Sequence, residues 1–183
     1  MKVNFSRFNP AARNIVTLAN LISVKRERTR IDDDDLMLAI AAVESPASDA
    51  LKRLDINLPS LAKVVDFDPS GISQASLPGE LPIPELDIYQ DFNPSGAFVV
   101  RWAPNLALNT ACRNARENPD CFPLGDPTDL IVRPEHILFV ALLNKTAAPS
   151  KMVEKAYHGS SHDPAGILRE DLGFISCDVT GTN

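Results

Sequence analysis

The stretch Val132-Arg133-Pro134-Glu135-His136-Ile137-Leu138-Phe139-Val140-Ala141-Leu142-Leu143 decides the fold. A helix can begin at Pro134 without losing a hydrogen bond, and Glu135 suits the positive end of the helix dipole. The apolar run behind them is nearly unbroken, and a helix that is apolar almost all round has to be buried on every side. The sequence therefore predicts a helix at the centre of a bundle. A second stretch, Ile31 to Ala42, has the same order of acids followed by an apolar run.

Each of these two predicted core helices is preceded by a similar segment. Residues 8–20 and 102–114 both contain an aromatic residue, then a proline, then an amphipathic helical pattern, with Pro10 and Pro104 at the predicted helix starts. A third and a fourth helical piece follow each core helix. This order predicts an all-α fold of two pseudo-twofold four-helix repeats. Within a single domain of residues 1–183 the predicted boundaries are 8–65 for repeat 1, 66–101 for an irregular insertion, 102–172 for repeat 2 and 173–183 for a tail.

The predicted insertion between the repeats is rich in proline and glycine, which forbid a continuous helix. Its last part, Ala97 to Trp102, predicts a short strand, with residues 86–89 as the partner strand. The apolar residues between Leu81 and Tyr89 predict that part of the insertion packs on the domain.

Composition excludes several classes of partner. The net charge is −6, from 24 acidic and 18 basic residues, and nucleic-acid binding needs a basic face. The one basic cluster, Lys25 to Arg30, is followed at once by four aspartates, which predicts a neutralised, solvated loop. No apolar run approaches the roughly 18 residues that span a bilayer, so we expect no membrane partner. Three cysteines without metal-ligand spacing suit a reducing cytoplasm, which is the predicted location.

The motifs of common enzymes and cofactor sites are missing from the sequence. It contains no Gly-rich phosphate loop, no G-x-S-x-G elbow and no H-E-x-x-H, so we expect no catalytic residue, cofactor or metal. The acids Asp32 to Asp35 are expected to cap the helix that they precede. For His136, at the start of a buried helix, a hydrogen-bonded structural role is favoured over ligand binding.

Residues 134–143, with the proline-headed helix before them, resemble the Clp amino-terminal (Clp N) repeat and its Glu-His signature. Residues 8–65 are similar to the first copy of that repeat and residues 102–172 to the second. The resemblance implies a helical domain of the kind found at the front of Clp-type AAA+ unfoldases, here as a stand-alone chain. It departs from the family in lacking an ATPase module, in carrying the 66–101 insertion, and in having Asp34-Asp35 where the first Glu-His would stand.

The resemblance implies a non-catalytic protein- and peptide-binding domain. Its expected partners are a Clp-type AAA+ ATPase or peptidase, or an adaptor or substrate protein of a Clp-type chaperone-protease, for which it would act as adaptor, regulator or substrate-recognition module. In some family members the Glu of each Glu-His recognises the guanidinium of phosphorylated arginine. The residues that the resemblance places in a partner-binding groove between the repeats are Asn9, Asp34, Asp35, Glu135 and His136. The rival function is a scaffold or oligomerisation module unrelated to proteolysis.

Overall fold

The computed structural model describes residues 1–72, 85–117, 131–160 and 162–172, with the side chains of 109–117 outside that description. This part of the chain is all-α, as predicted. After a short 3₁₀-helix at Phe5–Arg7 the helices are α1 (Pro10–Lys25), α2 (Asp33–Ala42), α3 (Pro46–Arg53), α4 (Leu58–Val64), α5 (Pro94–Glu117), α6 (Pro134–Ala141), α7 (Ala148–Ala156) and α8 (Pro164–Asp171). β-Pairing in these ranges is limited to isolated bridges between single residues.

The two apolar helices predicted at the centre of the bundle are there. Helix α2 contacts α1, α3, α4, α5, α6 and α7, and α6 contacts α1, α2, α3 and α5. Leu38 in α2 and Leu138 in α6 are fully buried. A fully apolar helix surface is stable only where neighbours cover all of it, so the remaining helices pack around these two.

Most helices begin at a local capping signal that the sequence displays. The side chain of Asn9 accepts a hydrogen bond from the Ala12 amide and Pro10 follows at the first position of α1. Ser45, Asn57 and Asp163 cap α3, α4 and α8 in the same way. The short helices predicted after each core helix are confirmed as α3, α4, α7 and α8.

Helix α5 differs from the prediction at its beginning. It starts at Pro94, inside the predicted insertion, so the strand predicted at 97–102 and its pairing with 86–89 are wrong. Pro104 lies within α5 and not at its start, and Ala103 is buried in the helix interior. Residues 73–84, 118–130 and the predicted tail 173–183 lie outside the described residues.

The position of α5 reveals a sequence match that the pairing of Pro10 with Pro104 missed. The triplet Phe8-Asn9-Pro10 leads into α1, and the same triplet, Phe92-Asn93-Pro94, leads into α5. Phe8 forms a parallel bridge with Val132, just before α6, and Phe92 forms one with Ile31, just before α2. Each core helix therefore starts beside the first helix of the other half of the chain.

None of the helices in the described ranges has the length and apolarity needed to cross a membrane.

Candidate functional site

The predicted groove residues lie at two junctions that have the same pattern of backbone hydrogen bonds. At the α1–α6 junction (residues 7–9 and 132–136) the Val132 amide donates to Arg7 O at 2.6 Å, and the Asn9 amide donates to Val132 O at 2.9 Å. At the α2–α5 junction (residues 31–35 and 91–95, with Arg26 and Arg28) the same two bonds recur at 2.8 Å, from Ile31 to Asp91 O and from Asn93 to Ile31 O. Asn9, Glu135 and His136 belong to the first junction, and Asp34 and Asp35 to the second.

The start of α2 is capped as the sequence predicts. Asp32 accepts from the Asp33 amide at 2.9 Å, while the Asp35 carboxylate accepts from the Asp32 amide at 2.9 Å. Asp32 also accepts from Asn93 Nδ2 at 2.8 Å and from Ser95 Oγ at 2.6 Å, which ties α2 to the start of α5. Burial acts to raise the pKa of Asp32, but the hydrogen bonds from Ser95 and Asn93 hold it below its usual range.

The carboxylates of Asp34 and Asp35 are occupied by cations of this chain. Arg26 Nη1 lies 2.9 Å from Asp34 Oδ2 and 2.7 Å from Asp35 Oδ1. Arg28 reaches both oxygens of Asp34, at 2.5 and 3.0 Å, and Asp35 Oδ2 at 3.3 Å. Asp35 is fully buried, and that burial raises its pKa. Because their oxygens already accept charge-assisted bonds, we assign Asp34 and Asp35 to folding and leave them out of the proposed binding site.

Asp33 is the acid of this junction for which the described residues provide no ion pair with an arginine. It is 5% exposed, and burial raises its pKa to about 7, helped by a hydrogen bond and negative charge from Asp32 and by the charge of Asp34. One oxygen each of Asp32, Asp33 and Asp34 lie within 4.8 Å of one another, a spacing that could hold a cation. Those of Asp32 and Asp34 already accept from Asn93, Ser95 and the two arginines, so we interpret the cluster as structural.

At the α1–α6 junction, His136 has the capping position that Asp35 has at the α2–α5 junction. Its Nδ1 accepts a hydrogen bond from the Arg133 amide at 3.0 Å, as the Asp35 carboxylate does from Asp32. A ring nitrogen can accept only when it carries no proton. Burial, with a smaller effect of the nearby Arg133 charge, lowers the pKa of His136 to about 4. The histidine is therefore neutral at pH 7, and the structural role favoured by the sequence is the one observed.

Glu135 is the residue in which the two junctions differ most. It takes the place of Asp34, but its Oε2 is shielded from solvent and has no hydrogen-bond partner among the residues that the structure describes. The nearest charged neighbour along the chain, Arg133, is exposed. A buried carboxylate oxygen without a donor costs free energy, so it is retained only where something offsets that cost. Glu135 as a whole is half-buried, so its carboxyl group lies at the edge of the α1–α6 junction and not in the core.

Two features of the site were missed by the sequence analysis. Arg26 and Arg28 lie in the segment for which the sequence predicts a solvated loop, although their charges close the α2–α5 junction. Asn93, the counterpart of Asn9, falls within the predicted insertion. The second Phe-Asn-Pro triplet was the signal that could have found it.

Comparison with protein-family models gives no match, and comparison with curated protein sequences gives none either. The resemblance to the Clp N repeat therefore stays a prediction.

Proposed function

We propose that this chain is a non-catalytic protein- and peptide-binding domain of the Clp N type, made of two repeats. In this role it serves as an adaptor, regulator or substrate-recognition module of a Clp-type chaperone-protease. The order of helices supports this assignment, because both halves run from a Phe-Asn-Pro start through a buried core helix to two short helices. The reciprocal pairing at the two junctions supports it as well.

One observation carries the binding site: the buried Oε2 of Glu135, beside the starts of α1 and α6, has no hydrogen-bond partner in the described part of the chain. The same chain shows what satisfies a carboxylate at this position, because Arg26 and Arg28 bind Asp34 at the other junction. A partner that inserts a guanidinium or ammonium group at Glu135 would supply the missing donor in a charge-assisted bond. The proposed ligand is therefore a cationic side chain of a partner protein or peptide.

Peptide titration tests this site. Fluorescently labelled peptides that differ only in a central Arg, Lys or Gln are titrated with the protein, and anisotropy is measured. We expect saturable binding of the Arg and Lys peptides, weaker binding of the Gln peptide, and about a tenfold or greater loss for Glu135→Gln. Glu154→Gln, a change of an exposed carboxylate on α7, is the matched control and should bind as the parent does.

Two results would contradict the assignment. Equal affinity for the Arg and Gln peptides would remove Glu135 from the binding site. Capture experiments with purified Clp-type ATPases and peptidases test the host machine separately. Reproducible absence of capture, together with concentration-dependent self-association, would favour the rival function of a scaffold or oligomerisation module.

A further inference from the structure

Helix α5 presents a continuous stripe of exposed side chains that the proposed function does not use. Its members occur at spacings of three and four residues, so they share one helix face. They are Phe98, Arg101, Trp102, Asn105 and Leu108, and all five are exposed. The opposite face, with Val99, Val100 and Ala103, is buried. We call these five residues the α5 stripe.

The apolar members of the α5 stripe are large. Trp102 and Leu108 are each 40% exposed and Phe98 is 38% exposed. The Phe98 and Trp102 rings contact one another, with centroids 5.7 Å apart and planes inclined by 38°. An aromatic pair on a rigid helix loses little conformational freedom on binding. Tryptophan and arginine are among the residue types enriched at the positions that dominate interface energies.

The charge of the stripe is opposite to that of the chain. Arg101 is its only ionised residue, and the part of the chain that the structure describes gives Arg101 no ion pair or hydrogen bond. Glu117, at the far end, is the only acid in the sequence of α5, whereas the whole chain has a net charge of −6. The local surface therefore suits a partner that brings carboxylates beside apolar side chains.

A second copy of the chain fits the stripe poorly. A twofold dimer buries the same patch on both subunits, so two Arg101 guanidinium groups would enter one interface. The stripe contains no carboxylate to pair with them. Two copies also repel through their shared negative charge.

We propose that the α5 stripe is a docking surface for an amphipathic helix of another protein, with apolar side chains on Phe98, Trp102 and Leu108 and a carboxylate on Arg101. The proposal goes beyond the Glu135 site, because it uses another face and the opposite charge. An acidic, apolar helix binds here, whereas a cationic side chain binds at Glu135.

Trp102 makes the test direct, because it is the only tryptophan of the chain. Three amphipathic peptides of about 15 residues, or four helical turns, share one leucine stripe and carry Glu, Gln or Lys beside it. We expect the Glu peptide to shift Trp102 emission to the blue and to saturate. The Lys peptide should bind at least tenfold more weakly, and salt should reduce the difference.

Variants locate the binding surface. Arg101→Gln should abolish the preference for Glu over Lys, and Trp102→Ala should lower the affinity for a labelled Glu peptide at least tenfold while circular dichroism shows a folded protein. Val24→Ala, which changes another exposed apolar residue, is the control and should leave binding unchanged. The Arg peptide at Glu135 and the Glu peptide at the stripe are separate titrations, so failure of one is distinguishable from failure of the other.

Three outcomes would overturn the proposal. The first is no saturable response to any of the three peptides. The second is equal affinity for the Glu and Lys peptides. The third is a dimer, seen by sedimentation, that Trp102→Ala abolishes, since that result would make a second copy the occupant of the stripe.

Discussion

The α2–α5 and α1–α6 junctions share a pattern of backbone hydrogen bonds and differ in the partners of their buried carboxylates. At the α2–α5 junction two arginines and two polar side chains satisfy Asp32, Asp34 and Asp35. At the α1–α6 junction Glu135 has a buried oxygen to which none of the described residues donates a hydrogen bond. One backbone arrangement thus supports a closed ion-pair network in one half of the chain and, in the other, a carboxylate oxygen that receives no hydrogen bond from the described residues.

The connecting segments explain the difference. The turn between α1 and α2 supplies Arg26 and Arg28 to the start of α2. The corresponding connection before α6 includes residues 118–130, whose sequence contains no lysine or arginine. The connection in the first half therefore supplies two cations to its junction, whereas the one basic residue of the other connection, Arg133, is exposed.

The largest expected effect comes from breaking the closed junction. Arg26→Met should lower the free energy of unfolding by about 3–5 kcal/mol, because it leaves Asp34 and Asp35 buried with one cation fewer. Arg133→Met, at the exposed cation of the other junction, should change it by less than about 0.5 kcal/mol. Urea denaturation measures both. Equal, small effects would mean that the ion-pair network adds nothing to stability.

Replacing the central leucines should lower stability by similar amounts in the two halves. Leu38→Ala and Leu138→Ala should each cost about 2–5 kcal/mol, because both side chains are fully buried and their removal leaves a cavity. Urea midpoints of the two variants give the comparison. A midpoint equal to that of the parent for either variant would remove that helix from the centre of the bundle.

The junctions should respond to pH in opposite directions. The pKa of Asp33 rises from 3.8 to about 7 on folding, so its contribution to stability is present at low pH and is lost as pH rises from about 4 to about 7. The pKa of His136 falls from 6.5 to about 4, so its contribution is present above about 6.5 and is lost as pH falls toward 4. Each effect is on the order of 3 kcal/mol.

Single variants separate these two contributions to the pH dependence of stability. Relative to the parent, Asp33→Asn should become less stable as pH falls from 7 to 4, because it lacks the favourable protonation. His136→Gln keeps an acceptor for the Arg133 amide and should become more stable relative to the parent as pH falls from 6.5 to 4. Chemical denaturation at several pH values measures the differences. Parallel curves for parent and variants would contradict both assignments.

The smallest effect expected from changing a buried group is a gain in stability. Glu135→Met should raise the free energy of unfolding by about 1 kcal/mol, because it removes a buried acceptor without a donor, and it should abolish binding of the Arg peptide. Thermal denaturation and the anisotropy titration are measured on one preparation. Lower stability in this variant would show that Glu135 serves folding and not binding.

The helices could be predicted from the sequence wherever the signal was local. Caps and prolines mark the beginnings of α1, α3, α4, α6 and α8, and the apolar runs of α2 and α6 require burial whatever surrounds them. The predicted start of α5 was wrong because Gly96 and the Val99-Val100 pair have weak helix propensity. Tertiary contact selects the helix, since a Cβ on Gly96 would lie 2.8 Å from Ile31 O, and Val99 and Val100 are buried.

By itself the sequence determined that two buried helices begin with acids, that Asp32 has a capping role and that His136 is a hydrogen-bonded structural residue, because those properties depend on neighbours within one helical turn. It could not determine which acids carry an internal cation. Asp34 and Glu135 are alike in the sequence, each an acid in the first turn of an apolar helix. Only the tertiary structure brings Arg26 and Arg28 to Asp34, and among the residues it describes no donor reaches Glu135 Oε2. Ion pairing falls off steeply with distance and depends on burial, and both are fixed by how the connecting segments fold back.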